Sequence, residues 1–413
     1  MKPNEFNRRV IGRLERAVAV CLAVCSYVAL PASAQTFNSG STGADGALNL
    51  TTPGVVIFDP KSFNPPLDPE GDNVYHFTTI TIGPNVIVKL TSKVPTGPIY
   101  WLASGNVVIN GRIDLSGDNG HPKTTLSSER VFAAPGAGGF AGGVGGSIVA
   151  GQPQAQAGNG PGGGAVSPTA ETSPGGNGAF TGNQFLTPLF GGSGGGGANR
   201  NAGANEFGGG GGGGGGALLI ATSGTLLGNG TIDADGGVGG SGDCTQCGGH
   251  GAGGAIKIVA QNIDTNVILH ARGGRSEARP NPGRIRVEFN TRNVFFGYVY
   301  PPPILSVPSN ISLILPSTPP ASIRVTKINN VTINSNPFTF PDITINTGSP
   351  VVVEIEARYI PVGTVPKIYV WSEVGPDQFV NAAPLAGTLA LSTSTANITF
   401  PTGGSRGYVR ATW

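Results

Sequence analysis

Four cysteines, one methionine, three tryptophans and 12% charged residues are little for a chain of 413 residues, and each shortage excludes something. Charge at about half the usual ~25% share, beside 38% apolar residues, is not the composition of a charge-rich disordered chain. No apolar run reaches the roughly twenty residues of a membrane-spanning helix; the longest is Ala17 to Leu30. Side chains able to fill a helical core are scarce too, because 69 Gly and 34 Pro occupy about a quarter of the positions. The fold class this leaves is all-β.

What is present begins with a leader. Lys2, Arg8, Arg9, Arg13 and Arg16 precede the apolar run, and Pro31 then leads to Ala32-Ser33-Ala34, the pattern of a secretory signal peptide over residues 1–34. Cys25 loosely matches a lipobox, but Val24 is branched where a small residue is expected, so soluble export is favoured. Without the leader, 25 − 5 = 20 basic residues face 23 − 2 = 21 acidic ones, so no general electrostatic drive toward nucleic acid or an anionic membrane remains. The mature chain is expected outside the cell or on its outer surface, without a membrane span.

Only Cys244 and Cys247 follow the leader, in Asp243-Cys-Thr-Gln-Cys-Gly-Gly-His250. In an oxidising compartment a short-loop disulfide is favoured. A metal site on both thiolates and His250 lacks a fourth ligand nearby, and a redox centre lacks its βαβ setting.

Of the 69 Gly, 46 lie between Gly136 and Gly254, nine of them in a row from Gly208 to Gly216. Such density forbids helix, each Gly costing about 1 kcal/mol there relative to Ala. Gly136, Gly139, Gly142 and Gly145 keep a three-residue spacing, which suits polyproline-II-like strands, whereas disorder from residue 126 to 207 is the alternative.

The strongest signal is internal repetition. Ile99 to Gly117 aligns without a gap on Leu218 to Gly236 at an offset of 119; a third copy, Ile256 to Gly274, follows 37 to 38 residues later with a one-residue slip, and a fourth begins at Arg284. Each copy reads as strand, Asn-Gly turn, short strand and glycine loop, one unit of a stacked repeat. Ile113, Ile232 and Val267 are expected inside, with Asn110-Gly111 and Asn229-Gly230 supplying positive φ at the corners. Tyr75 to Ile82 alternates only in part, with Phe77 and Thr79 on one face and Ile80 and Ile82 on the other, which suits a strand covered on both faces.

With its GGGGALLIATSG, GNGTIDADGG and GAGGAIKIVA text, and its Thr36 to Gly46 opening, the chain resembles the glycine-rich, strand-repeat secreted or surface proteins of bacteria. The resemblance covers roughly residues 35–290 and implies a compartment more than a mechanism. The expected architecture over 35–300 is an N-terminal cap, to about Pro98, followed by a glycine-rich β-solenoid, parallel β-helix-like. After Pro301-Pro302-Pro303, candidate strands at Ile311–Leu315, Ile323–Ile333, Asp342–Asn346, Val351–Tyr359, Lys367–Ser372, Thr388–Phe400 and Gly407–Trp413 read as a C-terminal immunoglobulin-like β-sandwich over 301–413.

Chemistry is sparse. Gly191-Gly-Ser193-Gly-Gly195 matches a hydrolase elbow only through its glycine tract. Asp233, Asp235 and Asp243 could offer oxygens to Ca²⁺, or simply cap turns; no other cofactor is implied. Arg272, Arg275, Arg279, Arg284 and Arg286 form the one local concentration of positive charge, a candidate polyanion strip or solvated loop charge. Trp101, Tyr100 and Trp371 read as packing residues. The function expected is an exported structural or adhesive surface or matrix protein without catalytic activity, its partner a cell-surface or matrix polysaccharide or protein. The alternative is a carbohydrate-active or carbohydrate-binding protein on the same scaffold. Thr79 and Thr81 raise an ordered-water surface as a third option.

Overall fold

The computed structural model describes residues 36–68, 71–92, 97–126, 129–147, 153–167, 173–200, 206–241, 246–274, 281–309, 312–316, 321–333, 343–372, 378–401 and 407–413. The leader therefore lies outside the described residues. The structure is almost all β, and among the described residues no helix is long and apolar enough to cross a membrane.

From the start of the described chain, strands alternate between two parallel sheets. β1 (Gly46–Leu50), β3 (Val74–Ile82), β5 (Ile99–Ala103) and β6 (Val107–Ile109) belong to a wide sheet; β2 (Gly54–Ile57), β4 (Val86–Lys89) and β7 (Arg112–Asp114) belong to a narrow one. A long glycine-rich excursion, with its small pair β8 (Gly146–Ser147) and β9 (Asn199–Arg200), separates them from β10 (Ala217–Gly228). β10, β12 (Ala255–Thr265), β14 (Arg284–Arg292) and β16 (Ile304–Ser306) then extend the wide sheet, while β11 (Thr231–Asp233), β13 (Ile268–His270) and β15 (Val299–Tyr300) extend the narrow one. Each strand pairs in parallel with the strand laid down one circuit earlier.

The sequence repeat is the hydrogen-bonding register. The offset of 119 places Leu218 beside Ile99 and Ile232 beside Ile113, as the alignment requires. The one-residue slip is a bulge: Leu218 pairs with Ile256, but past Thr222 the register shifts and Thr225 pairs with Asn262. Identical residues recur because each must fill the same place against its own neighbour.

The two sheets share one core. Tyr75, Trp101, Ile220, Ile258 and Val287 form one inward row of the wide sheet, and Val88, Ile113, Ile232, Leu269 and Val299 the facing row of the narrow one. Leu269, not Val267, is thus the third member of the ladder; Val267 is buried at the preceding inward position. A second irregularity, opposite β1, sets Phe77 and Ile80 against Gly46 and Leu48, so Phe77, Ile80 and Ile82 all point inward and strict alternation fails there. The outward residues Leu102, Ala221 and Val259 are also fully buried, which is why these strands read as continuous apolar runs.

The corner glycines serve a different purpose from the one expected. None of Asn110, Gly111, Asn229 and Gly230 has positive φ. A Cβ on Gly230 would lie 2.0 Å from the Gly111 carbonyl oxygen, and one on Gly111 2.4 Å from that of Gly83. Close approach of successive circuits, not backbone handedness, demands glycine here.

The nine-glycine run is the centre of a bundle of extended segments. Gly209, Gly212 and Gly215 donate their N–H groups to the Gln246, Gly249 and Ala252 carbonyls; Gly210, Gly213 and Gly216 donate to His121, Asp118 and Leu115; Gly211 and Gly214 donate to Gly143 and Phe140. Partners change with a period of three, the repeat of a polyproline-II helix. In the return direction Ala198, Gly195 and Gly192 donate to the Gly209, Gly212 and Gly215 carbonyls. Described residues between 126 and 207, among them Phe140, Gly143, Gly192, Gly195 and Ala198, take part in this bonding.

After the proline triplet, β16 still belongs to the wide sheet, pairing with β14, so the parallel body reaches Ser306. Beyond it, all pairing among the described residues is antiparallel. β17 (Ser322–Ile328), β18 (Val331–Thr332), β19 (Val351–Arg358), β22 (Ala386–Gly387) and β23 (Ser392–Ile398) form one sheet; β20 (Lys367–Ser372), β21 (Gln378–Asn381) and β24 (Gly407–Thr412) form another. Val353 and Ile355 of the first pack with Ile368 and Val370 of the second. The described residues 312–315 and 343–346 are not strands, and β21 was not anticipated.

Two tests follow from this packing. Ile232→Asp should cost at least about 3 kcal/mol, because it buries an unpaired charge, whereas Thr231→Asp on the outer side should cost under about 1 kcal/mol; urea unfolding of both variants separates them. Gly214→Ala puts a Cβ 1.9 Å from the Gly192 carbonyl oxygen, so the bundle must part. A loss of roughly 1–3 kcal/mol is expected, with faster proteolysis in the glycine segments.

Candidate functional site

On the outer side of the narrow sheet, one register row crosses five strands: Lys89, Asp114, Asp233, His270 and Tyr300. Parallel in-register strands put like positions side by side, so Asp114 and Asp233, which correspond in the sequence repeat, become neighbours. Two carboxylates side by side would repel. Arg112 relieves this, its Nε donating to Asp233 Oδ2 at 2.6 Å and its guanidinium lying 3.7 Å from Asp114.

His270 completes the arrangement, its Nδ1 lying 2.7 Å from Asp233 Oδ1. Burial alone would raise the Asp233 carboxyl, but the bonds from His270 and Arg112 outweigh it and hold the group below the usual carboxylate range. An ionised Asp233 only accepts, so His270 Nδ1 carries the hydrogen. Tyr298 meets the imidazole edge-on with centroids 5.6 Å apart. Beside this pair, Asp235 takes the Arg272 backbone N–H at 2.7 Å and its Nε at 2.9 Å.

Of the three candidate Ca²⁺ ligands, Asp233 and Asp235 come together, with His270 as the third member; their ligand atoms lie within 4.8 Å of one another. Asp243 lies outside the described residues. The oxygens of both carboxylates already serve Arg112, His270 and Arg272, so a cation would compete with those bonds.

The described arginines of the candidate polyanion strip make internal contacts. Arg272 holds Asp235, Arg284 lies over the Phe180 ring at 5.9 Å, and Arg275 and Arg279 lie outside the described residues. Arg286 is buried, bonded through Nε to Glu288 at 2.6 Å and through Nη2 to Ser306 at 2.8 Å. Lys257 sits 3.9 Å from the same carboxylate and donates to the Phe185 carbonyl at 2.9 Å. Burial lowers the Lys257 ammonium pKa, partly opposed by Glu288 and reinforced by Arg286. This buried Lys257–Glu288–Arg286 group escaped sequence reasoning; its signal was a lone lysine in Ala255-Ile-Lys-Ile-Val-Ala260, whose charge only a strand neighbour could answer.

Cys247 is buried and disulfide-bonded, while Cys244 lies outside the described residues. His250 Nδ1 accepts the Gly239 N–H at 3.0 Å, so that nitrogen serves the bundle. His121 does so more fully: Nδ1 donates to the Pro122 carbonyl, and Nε2 accepts the Gly145 N–H, each at 2.9 Å. Burial pushes the His121 imidazole down to about 4, Arg130 adding to the effect. Trp101 and Tyr100 are buried, as packing residues should be.

Comparison with protein families, curated proteins and solved structures returned no match.

Because its folded pKa is depressed, His121 contributes stability that is fully present above its unfolded value near 6.5 and is lost as pH falls toward about 4. Asp68, raised to about 6 by burial, acts in the opposite sense over an overlapping range, so the effect is read as a difference. Relative to His121→Asn, the wild type should lose about 3 kcal/mol between pH 7 and pH 4. NMR should place the His121 midpoint near 4; a midpoint near 6.5 would refute its burial.

Proposed function

We propose that the chain is an exported structural or adhesive surface or matrix protein, built as a glycine-rich β-solenoid followed by an immunoglobulin-like sandwich and lacking catalytic activity of its own. The observation that carries this reading is how the charged side chains are used. At the cluster of Asp233 and Asp235, the carboxylates are bound by Arg112, His270 and Arg272 from the neighbouring strands and the segments that follow them. Glycosidic chemistry needs a carboxyl pair facing an open groove. Here the carboxylates hold strands together.

Other features agree. The leader pattern supports export to an oxidising compartment, and a disulfide-bonded Cys247 suits one. In-register stacking builds length without a separate core for each unit, which suits a spacer or scaffold. The antiparallel sheets over residues 322–412 support the sandwich reading, and such modules commonly serve as spacers or binding units. The partner on this reading is a cell-surface or matrix polysaccharide or protein.

One observation favours the alternative, a carbohydrate-active protein: an aspartate and a histidine 2.7 Å apart are the elements of an acid–base pair. The two readings separate on purified protein. Release of reducing sugar from any of a panel of plant and bacterial polysaccharides, abolished by Asp233→Asn, would establish the enzyme. No product, with a melting temperature lowered by Asp233→Asn, is the result expected of the structural pair. Fractionation of producing cells should find a mature chain beginning at Gln35 in the medium or on the outer surface; retention in the cytoplasm with the leader intact would overturn the export reading.

A further inference from the structure

Past the bulge between Thr222 and Thr225, the outward face of the wide sheet loses its apolar cover. Ile80, Val107, Leu226 and Ile263 continue the inward row, all fully buried. On the outside, Thr225, Asn262 and Thr291 stand in one register row, which Asn106 extends by accepting the Thr225 backbone N–H on its Oδ1 at 2.9 Å. Thr81, Val108, Leu227 and Asp264 form the next row. The two rows enclose a depression of about 340 Å³, lined by Asn106, Thr225, Leu227, Asn262, Asp264 and Thr291 among others.

Internal bonds orient the amides of this face. Asn106 Oδ1 is held by Thr225, so its amide nitrogen has both hydrogens free of partners among the described residues. Asn262 Oδ1 accepts from the Thr291 hydroxyl, and its Nδ2 donates to Thr225 Oγ1 at 3.4 Å, leaving one amide hydrogen and the Thr225 hydroxyl hydrogen to donate outward. The Asp264 carboxylate has no bond or ion pair among the described residues. Fixed donors therefore stand beside a free acceptor, around the apolar Leu227.

Sugar hydroxyls need that combination, since each donates and accepts, while a pyranose ring presents C–H groups that can lie on an aliphatic side chain. The row repeats at the spacing of paired strands, ~4.8 Å, close to the length one pyranose adds to an extended β-linked chain. A carboxylate in the floor disfavours uronates, phosphates and other polyanions. Asp264 and Leu227 also break the uniform row of small hydroxyls that a lattice of ordered water would require. We propose that this depression binds a neutral polysaccharide lying across the strands of the wide sheet. The proposal deepens the adhesive reading and rests on it, naming the polymer that the scaffold holds.

The test is affinity electrophoresis of the purified chain from Gln35 to Trp413. Gels contain hydroxyethyl cellulose, arabinoxylan or galactomannan, with polygalacturonate as the acidic comparator. Retardation is expected in at least one neutral gel and not in polygalacturonate. Asn262→Ala and Thr291→Ala should each weaken it at least tenfold at unchanged melting temperature; Thr291, at the exposed end of the row, carries the test if the Asn262 variant does not fold. The proposal is overturned by no retardation in any neutral gel, by retardation in polygalacturonate alone, or by variants that bind like the wild type. Thermal hysteresis without glycan binding would overturn it in favour of a water-ordering face. Because the assay uses purified protein, a negative result leaves the export reading standing, and a cytoplasmic, uncleaved chain would leave a positive binding result standing.

Discussion

A carbonyl oxygen about 2 Å from where a side chain would begin is the constraint around which the glycine tract is organised. At Gly211 and Gly214 the oxygens of Gly195 and Gly192 sit 1.9 Å from the place of a Cβ, so not even alanine fits without movement. In return, the run Gly208–Gly216 exchanges backbone hydrogen bonds with segments on several sides. Ordering glycine costs more chain entropy than ordering any other residue. The dense bonding offsets that cost, helped by covalent continuity with the sheets: Leu115 directly follows β7, and Ala217 opens β10.

The parallel body answers to a second constraint, that of register. A parallel pair sets equivalent residues side by side, so any side chain placed at a repeat position meets its own kind. For Ile113 and Ile232 that is favourable, since the ladder excludes water along its whole length. For Asp114 and Asp233 it is unfavourable; Arg112 supplies the compensating charge and His270 a further hydrogen bond. The charged row on the narrow sheet thus follows from stacking a repeat that contains aspartate.

The wide sheet has two outer regions of opposite character, divided at the shift in register. Before it, outward positions are apolar and buried, or carry the Lys257–Glu288–Arg286 group, whose free donors are met by the Phe185 and Gln184 carbonyls. After it, the same face turns to asparagine, threonine and aspartate and forms a depression. The changes in register therefore mark where the outer face of the sheet passes from apolar to polar.

Much of this was legible in the residues alone. The offset of 119, with its later one-residue slip, encoded both the strand pairing and the bulge, because a stacked repeat must keep step with its neighbour to bury its apolar face. The glycine count excluded helix, and the three-residue spacing suited polyproline-II-like strands while leaving disorder over 126–207 open. What only the tertiary structure decided lies wherever the partner is distant in sequence: the inward turn of both Phe77 and Ile80, the engagement of Arg272 and Arg286 in internal ion pairs, the joining of His270 to Asp233, and the corner glycines that serve close approach instead of positive φ. Local pattern records which face of a strand is apolar. It does not record which segment crosses that face, and burial, pairing and the room left for a side chain are all set by that second segment.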